Sequence, residues 1–282
     1  MARTRRFLGV TALPYLCLIM PVHAAPPSEE LQAELEQALG EFDEAQSIQM
    51  DQPDRARQLF RSAAQRFTSI IAAGAVNGRL EFNLANCHLQ AGDVGRAILH
   101  YRRAERLIPR NPMLADNLAV ARSRCFTTIQ PTRQSALFKL IFLWHYQTSV
   151  AGRTRAALVL YIAFWALLIA RNFASRRFIM VTVVLAGLLS GAAAGSVAMA
   201  RLADRNAPEG VITAMDVTVY KGPGTGYQRQ FEQPLQPGVE FTRRQRRGGW
   251  WWIELADGKS GWIEATEAGL IPRAAVRFSP RT

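Results

Sequence analysis

Lysine is almost missing from this chain. Of its 34 basic residues only Lys139, Lys221 and Lys259 are lysine; the rest are arginine, and 22 acidic residues leave a net charge of +12. Two explanations stay open: a codon bias towards arginine, or contact with lipid phosphates and acidic partners, which the planar guanidinium fork suits. Cysteine is scarce too. Cys17, Cys87 and Cys125 have no special spacing; Cys87 and Cys125 read as buried thiols, with a disulfide between them as the open alternative. The four histidines, His23, His88, His100 and His145, are scattered without the spacing a metal site needs. No G-x-S-x-G elbow, P-loop or paired-carboxylate signal occurs. Gly222-Pro223-Gly224-Thr225-Gly226 lacks a following helix and lysine, so it reads as a turn rather than a phosphate cradle. The sequence therefore predicts no catalytic residues, no metal, no cofactor and no enzyme.

Charge is absent from two stretches, and these organise the chain. Residues 156–170 carry none, Arg171, Arg176 and Arg177 interrupt, and residues 178–200 carry none again. The first run of 15 residues would measure about 22 Å as a helix, short of a hydrocarbon core of about 30 Å. It reaches across only if Arg155 and Arg171 snorkel. The expectation is a transmembrane helical hairpin over 154–200 with a short, arginine-bearing cytoplasmic loop. On the second run Gly187, Gly191 and Gly195 form a small-residue face for helix packing. Its partner is either the first span or a helix of another membrane protein.

At the N-terminus, Arg3, Arg5 and Arg6 precede an apolar run from Phe7 to Met20, and Val22-His23-Ala24 offers a cleavage site. Residues 1–24 are predicted to be a signal peptide, cleaved after Ala24, with an uncleaved anchor as the competing reading. Either way the next segment lies outside the cytoplasm, at the bacterial inner membrane, and nucleic acid is not an expected partner. Residues 126–153 read as a linker with an interfacial helix bearing Trp144 and Tyr146.

Residues 26–125 have helical periodicity broken at Pro53, Gly74, Gly78, Gly92-Asp93 and Pro109. Ala56, Phe60 and Ala63 recur as Ala97, Tyr101 and Ala104 at a fixed offset, which marks stacked helix pairs. Asn83-Leu84-Ala85, Gly92-Asp93, Ala97, Tyr101, Ala104 and Pro109 resemble the tetratricopeptide repeat (TPR), implying an all-α solenoid. In such a solenoid Arg79, Phe82, Asn83, Asn86, Leu89, Gln90 and Asn117 would line a protein-binding groove. Arg102, Arg103, Arg106 and Arg110 read as a solvated helix face.

From residue 209 to 271 the period becomes two, with turns at Pro237-Gly238, Gly248-Gly249 and Asp257-Gly258. Gly222-Pro223-Gly224, Trp250, Ile253 and Gly261-Trp262-Ile263 resemble the bacterial SH3 domain, implying an all-β barrel. Alternation puts Trp251, Ile253 and Leu255 in its core. It leaves Trp250 and Trp252 beside Arg243, Arg244, Arg246 and Arg247 as a surface for an acidic peptide or glycan, or as a merely solvated hairpin. Residues 272–282 read as a tail.

Signal peptide, helix pairs, membrane hairpin and terminal strand module, in that order, resemble the BatE-type proteins of bacterial aerotolerance (Bat) operons. The resemblance implies a periplasmic scaffold or adaptor tied to the inner membrane. Its implied partners are membrane-anchored von Willebrand A-domain proteins and a MoxR-type ATPase. The alternative is a peptidoglycan-binding tether acting through the strand module.

Overall fold

The computed structural model describes residues 29–75, 77–125, 150–170 and 177–271. The predicted signal peptide, the linker with its interfacial helix, the loop arginines Arg171 and Arg176, and the tail lie outside the described residues.

Five helices come first: α1 (Glu29–Ile48), α2 (Pro53–Ala72), α3 (Gly78–Gln90), α4 (Val94–Leu107) and α5 (Pro112–Ser123). Their starts follow local chemistry. Proline opens α2 and α5, where its missing N–H costs nothing. Asn77, Asp93 and Asn111 cap α3, α4 and α5, each side chain accepting backbone N–H bonds from the first turn. Gly92 sits at φ +85°, a turn that stops α3 and lets α4 begin at once. Alanines Ala38, Ala63, Ala64, Ala97 and Ala104 are buried where helices approach closely, and Phe60, Phe67 and Tyr101 fill the remaining space.

Two longer apolar helices follow, α6 (Val150–Ala170) and α7 (Arg177–Asn206), packed on one another. Among the described residues only α7 contains a stretch, Val181–Met199, long and apolar enough to cross a membrane; the apolar part of α6, Thr154–Ile169, is shorter.

The chain ends in five antiparallel strands: β1 (Glu209–Ile212), β2 (Glu240–Arg247), β3 (Trp250–Leu255), β4 (Ser260–Glu264) and β5 (Ala268–Ile271). Their order is β4-β3-β2-β1-β5. One face buries Ile212, Val239, Phe241, Ile253, Leu255 and Ile263, with Trp251 packed against them.

The predicted fold class is corrected on three counts. The sheet is open rather than an SH3 barrel, because β4 and β5 sit at opposite edges. Each edge is occupied otherwise: Tyr220 exchanges both backbone hydrogen bonds with Trp262 of β4, and Arg103 of α4 donates to the Leu270 carbonyl of β5. The helices do not form a free-standing TPR solenoid. A repeat stack buries each helix only on neighbouring helices, whereas α4 places Ile98 and Leu99 in one core with Val211 and Ile271 of the sheet. The predicted transmembrane hairpin reduces to one helix of spanning length beside a shorter apolar one, because the charge-free run of α6 falls short of the bilayer core.

The helical and strand modules thus make one head. α4 runs antiparallel to β1. Its start meets the end of β1, where a Cβ on Gly95 would lie 2.8 Å from the Ile212 carbonyl oxygen. Its later turns meet the start of β1 through Arg102 and Arg106, both paired with Glu209. α4 also meets α6.

Candidate functional site

The far end of this head, where α4 begins and β1 ends, holds an open cleft of about 1000 Å³. Its walls come from four places. α2 supplies Arg61 and Gln65, the α3–α4 corner supplies His88, Asp93 and Arg96, Arg124 follows α5, and the sheet loops add Thr213, Met215 and Gln236.

The corner is shaped by the capping residue. The Asp93 carboxylate accepts from the backbone N–H of Arg96 (3.1 Å), lies 3.2 Å from the Arg96 guanidinium and faces His88 Nδ1 at 3.5 Å. Burial alone would raise its pKa. The hydrogen bonds from His88 and Arg96, and their charges, carry it below the usual carboxylate value instead. Beneath, the His88 ring stacks on His100, centroids 5.4 Å apart and planes 11° from parallel. His100 is buried and donates through Nδ1 to Glu81 at 2.7 Å. Burial pushes the His100 pKa below the ordinary imidazole value, more strongly than Glu81 lifts it. The cleft floor is therefore a neutral imidazole over a buried carboxylate. Its rim carries three guanidiniums, those of Arg61, Arg96 and Arg124, against the single carboxylate of Asp93. Such a rim favours anionic groups, carboxylates above all, which arginine grips bidentately. Among the described residues no group of three or more His, Cys, Asp or Glu is placed to hold a metal.

The seam between the modules is a second charged site. Arg102, 17 % exposed, approaches Glu105, Glu209 (2.7 Å) and Glu240 (3.0 Å), and Arg122 also holds Glu240 at 2.7 Å. Burial would depress the Arg102 pKa, but the charges of Glu240, Glu105 and Glu209 outweigh it and raise the value. The expected solvated face of α4 is thus corrected for Arg102, Arg103 and Arg106: they fasten the sheet.

The predicted groove residues are dispersed. Arg79 is exposed, Leu89 is buried in the core, and Phe82 lies half-buried with its ring 5.9 Å from Tyr101. Asn83 is half-buried. Asn86 and Asn117 are engaged with one another and with the core: Asn86 Oδ1 accepts from the Tyr101 hydroxyl (2.6 Å) and from Asn117 Nδ2 (3.0 Å). Gln90 accepts from Gln49 at 3.1 Å.

On the sheet, Trp250 meets Tyr220 edge-on and Trp252 meets Trp262, its cross-strand partner, so neither indole stands free. Arg243 lies over the Trp251 ring at 5.3 Å and Arg244 pairs with Glu254 at 2.7 Å, while Arg246 and Arg247 are exposed. The three helix glycines do not act alike. A Cβ on Gly187 would come within 3.1 Å of Phe164 on α6, whereas Gly191 and Gly195 have nothing within 4 Å.

Sequence reasoning missed Arg61, Arg96 and Arg124, which lie far apart in the chain and share no motif. Only the excess of arginine hinted at them. Comparison of the chain with family models, with curated proteins and with solved structures returns no match.

Proposed function

We propose that the protein is a membrane-anchored adaptor of the bacterial envelope, whose head presents the arginine-rimmed cleft to a carboxylate-bearing segment of a partner protein. One observation carries this reading: the seam that locks the modules before and after the membrane helices into a single head. A head with Arg102 bound to Glu209 keeps both modules on one side of any bilayer that α7 enters. The signal-peptide pattern of residues 1–24 makes that side periplasmic. α7 anchors the head, and the cleft opens at the end of α4 away from the start of β1, where α7 delivers the chain.

The order of these parts agrees with the Bat-operon resemblance. Its expected partners, membrane-anchored von Willebrand A-domain proteins working with a MoxR-type ATPase, are the ones to seek. The test is recovery of partners from detergent-solubilised membranes with the tagged full chain and with its Arg61→Glu/Arg124→Glu variant. Partners bound through the cleft are lost from the variant while its thermal unfolding stays unchanged. Equal recovery by both proteins overturns the cleft as the docking site. Impermeant labelling of cysteines placed at Arg110 and at Lys259 checks the topology: both label from the periplasm, or the one-sided head is wrong.

A further inference from the structure

The other end of the head carries a charged element that the adaptor reading leaves unused. α7 ends at Asn206 and β1 begins at Glu209, so Pro208 lies within two residues of the helix. From Met199, the last residue of the spanning stretch, to Asn206 is seven residues, about 10 Å of helix. The headgroup layer beyond the hydrocarbon is about 5–8 Å thick. Pro208 therefore stands just outside that layer.

β2 is antiparallel to β1 and runs back past the start of β1, where the chain arrives from α7. Glu209 pairs with Thr242, and the Arg243 N–H donates to the Pro208 carbonyl at 2.8 Å, the last tie between β2 and the chain leaving α7. β2 does not stop there. It bulges at Arg244 and continues to Arg247, then turns at Gly248-Gly249 into β3. Four residues past Arg243 at about 3.3 Å each give an overhang of about 13 Å. That length is enough for the hairpin tip to reach the headgroup layer.

The tip has the chemistry for that layer. Residues 244 to 249 are all exposed, and Arg246 and Arg247 carry no ion pair among the described residues. Trp250, the cross-strand partner of Arg247, is half-buried with its edge on Tyr220, an amphipathic aromatic pair of the kind found at membrane interfaces. The nearby acids are Glu254, already held by Arg244, and Glu264, the neighbour of Trp250 on β4. Four arginines against two carboxylates leave the tip cationic.

We propose that the tip of the β2–β3 hairpin docks on anionic lipid headgroups beside α7, with Arg246 and Arg247 on the phosphates and Trp250 at the interface. The head is thereby held upright on its anchor, with the cleft facing away from the bilayer. An acidic protein segment is the competing ligand for the same charges. The geometry favours lipid, because the overhang points back along the chain towards the membrane.

The inference rests on α7 entering a bilayer, and the experiment separates the two. The full chain, with Cys17 and Cys125 replaced by serine and Gly249→Cys carrying an environment-sensitive fluorophore, is reconstituted into nanodiscs. One set holds phosphatidylcholine alone and the other adds phosphatidylglycerol. Co-elution with nanodiscs in the absence of detergent reports α7. Given co-elution, the expected result is a blue-shifted probe, quenched by headgroup-borne quencher, in the anionic discs only. The shift is reversed by molar salt, abolished by Arg246→Glu/Arg247→Glu and kept by Arg246→Lys/Arg247→Lys. Each arginine near an anionic surface contributes about five-fold to partition, so removing two lowers docking on the order of 30-fold. Equal probe signals in neutral and anionic discs, or docking that survives charge reversal, overturn the proposal. So does a probe that ignores the discs but responds to added polyglutamate, which would assign the tip to a protein.

Discussion

Arg102 on α4 and Glu209, the first residue of β1, meet at 2.7 Å although 107 positions separate them in the chain. Both long apolar helices, α6 and α7, lie between them. The pair and its neighbours are largely shielded from water, so removing one partner weakens the hold on the others. Arg102→Ala leaves Glu209 to Arg106 and Glu240 to Arg122, and is expected to cost about 2–3 kcal/mol, the worth of the lost charged hydrogen bonds. The measurement is denaturant unfolding followed by tryptophan fluorescence, since all the tryptophans of the sheet report its release. Arg102→Lys restores charge without the fork and recovers only part of the loss.

Acid is expected to loosen the α3–α4 corner in two steps. His100 has a folded-state pKa below 6.5, so beneath that pH the unfolded chain binds a proton that the folded one resists. Stability is therefore complete above about pH 6.5 and falls as pH drops, by at most about 1.4 kcal/mol per pH unit, until the folded-state value is reached. Asp93 adds a second loss lower down. Its folded pKa lies below 3.8, so its contribution is present above that value and disappears as pH falls through the folded one. Unfolding midpoints between pH 7.5 and pH 5 measure the first step. His100→Gln, which keeps a donor for Glu81 and removes the titration, is expected to flatten it.

The glycines of α7 divide into two kinds. Gly187 faces Phe164 across the α6–α7 contact, and Gly187→Leu is expected to force the two helices apart. Gly191→Leu and Gly195→Leu have open space and leave that contact intact. Disulfide cross-linking between cysteines placed on the facing sides of α6 and α7 reads the difference: yield falls for the first variant and holds for the other two.

Cys87 is fully buried, and its thiol is pushed up to about 12 chiefly by burial. Cys125 is half-buried, and both are free. A maleimide is expected to modify Cys125 in the native protein and to reach Cys87 only after denaturation. Labelling of Cys87 at the native rate of Cys125 would contradict this burial.

Much of the local structure was legible because it is written locally. The breaks read at Pro53, Gly78 and Gly92-Asp93 fall where helices start or stop, and the alternation of Trp251, Ile253 and Leu255 marks the core face of β3. The global architecture was not legible from the same signals. A repeat pattern says that helices pair, and α4 honours it with Ala97, Tyr101 and Ala104. It does not say that Ile98 and Leu99, on the remaining face, meet a sheet more than a hundred residues later. Turn spacing likewise counts strands without saying whether the edges close. Here Tyr220 and Arg103 occupy those edges. The arginines of α4 looked solvated because their carboxylates, Glu209 and Glu240, belong to another module. The cleft arginines are contributed by three separate helical segments, so only the folded chain assembles them.

Between Asn206, where α7 ends, and Pro208, whose carbonyl is held by Arg243, there is one residue, Ala207. A joint of one residue has almost no slack. A turn of α7 about its own axis is therefore carried directly into β1. Through the Arg102–Glu209 seam it swings α4 and the cleft with it. The bearing of the cleft is thus geared to the bearing of the long apolar helix.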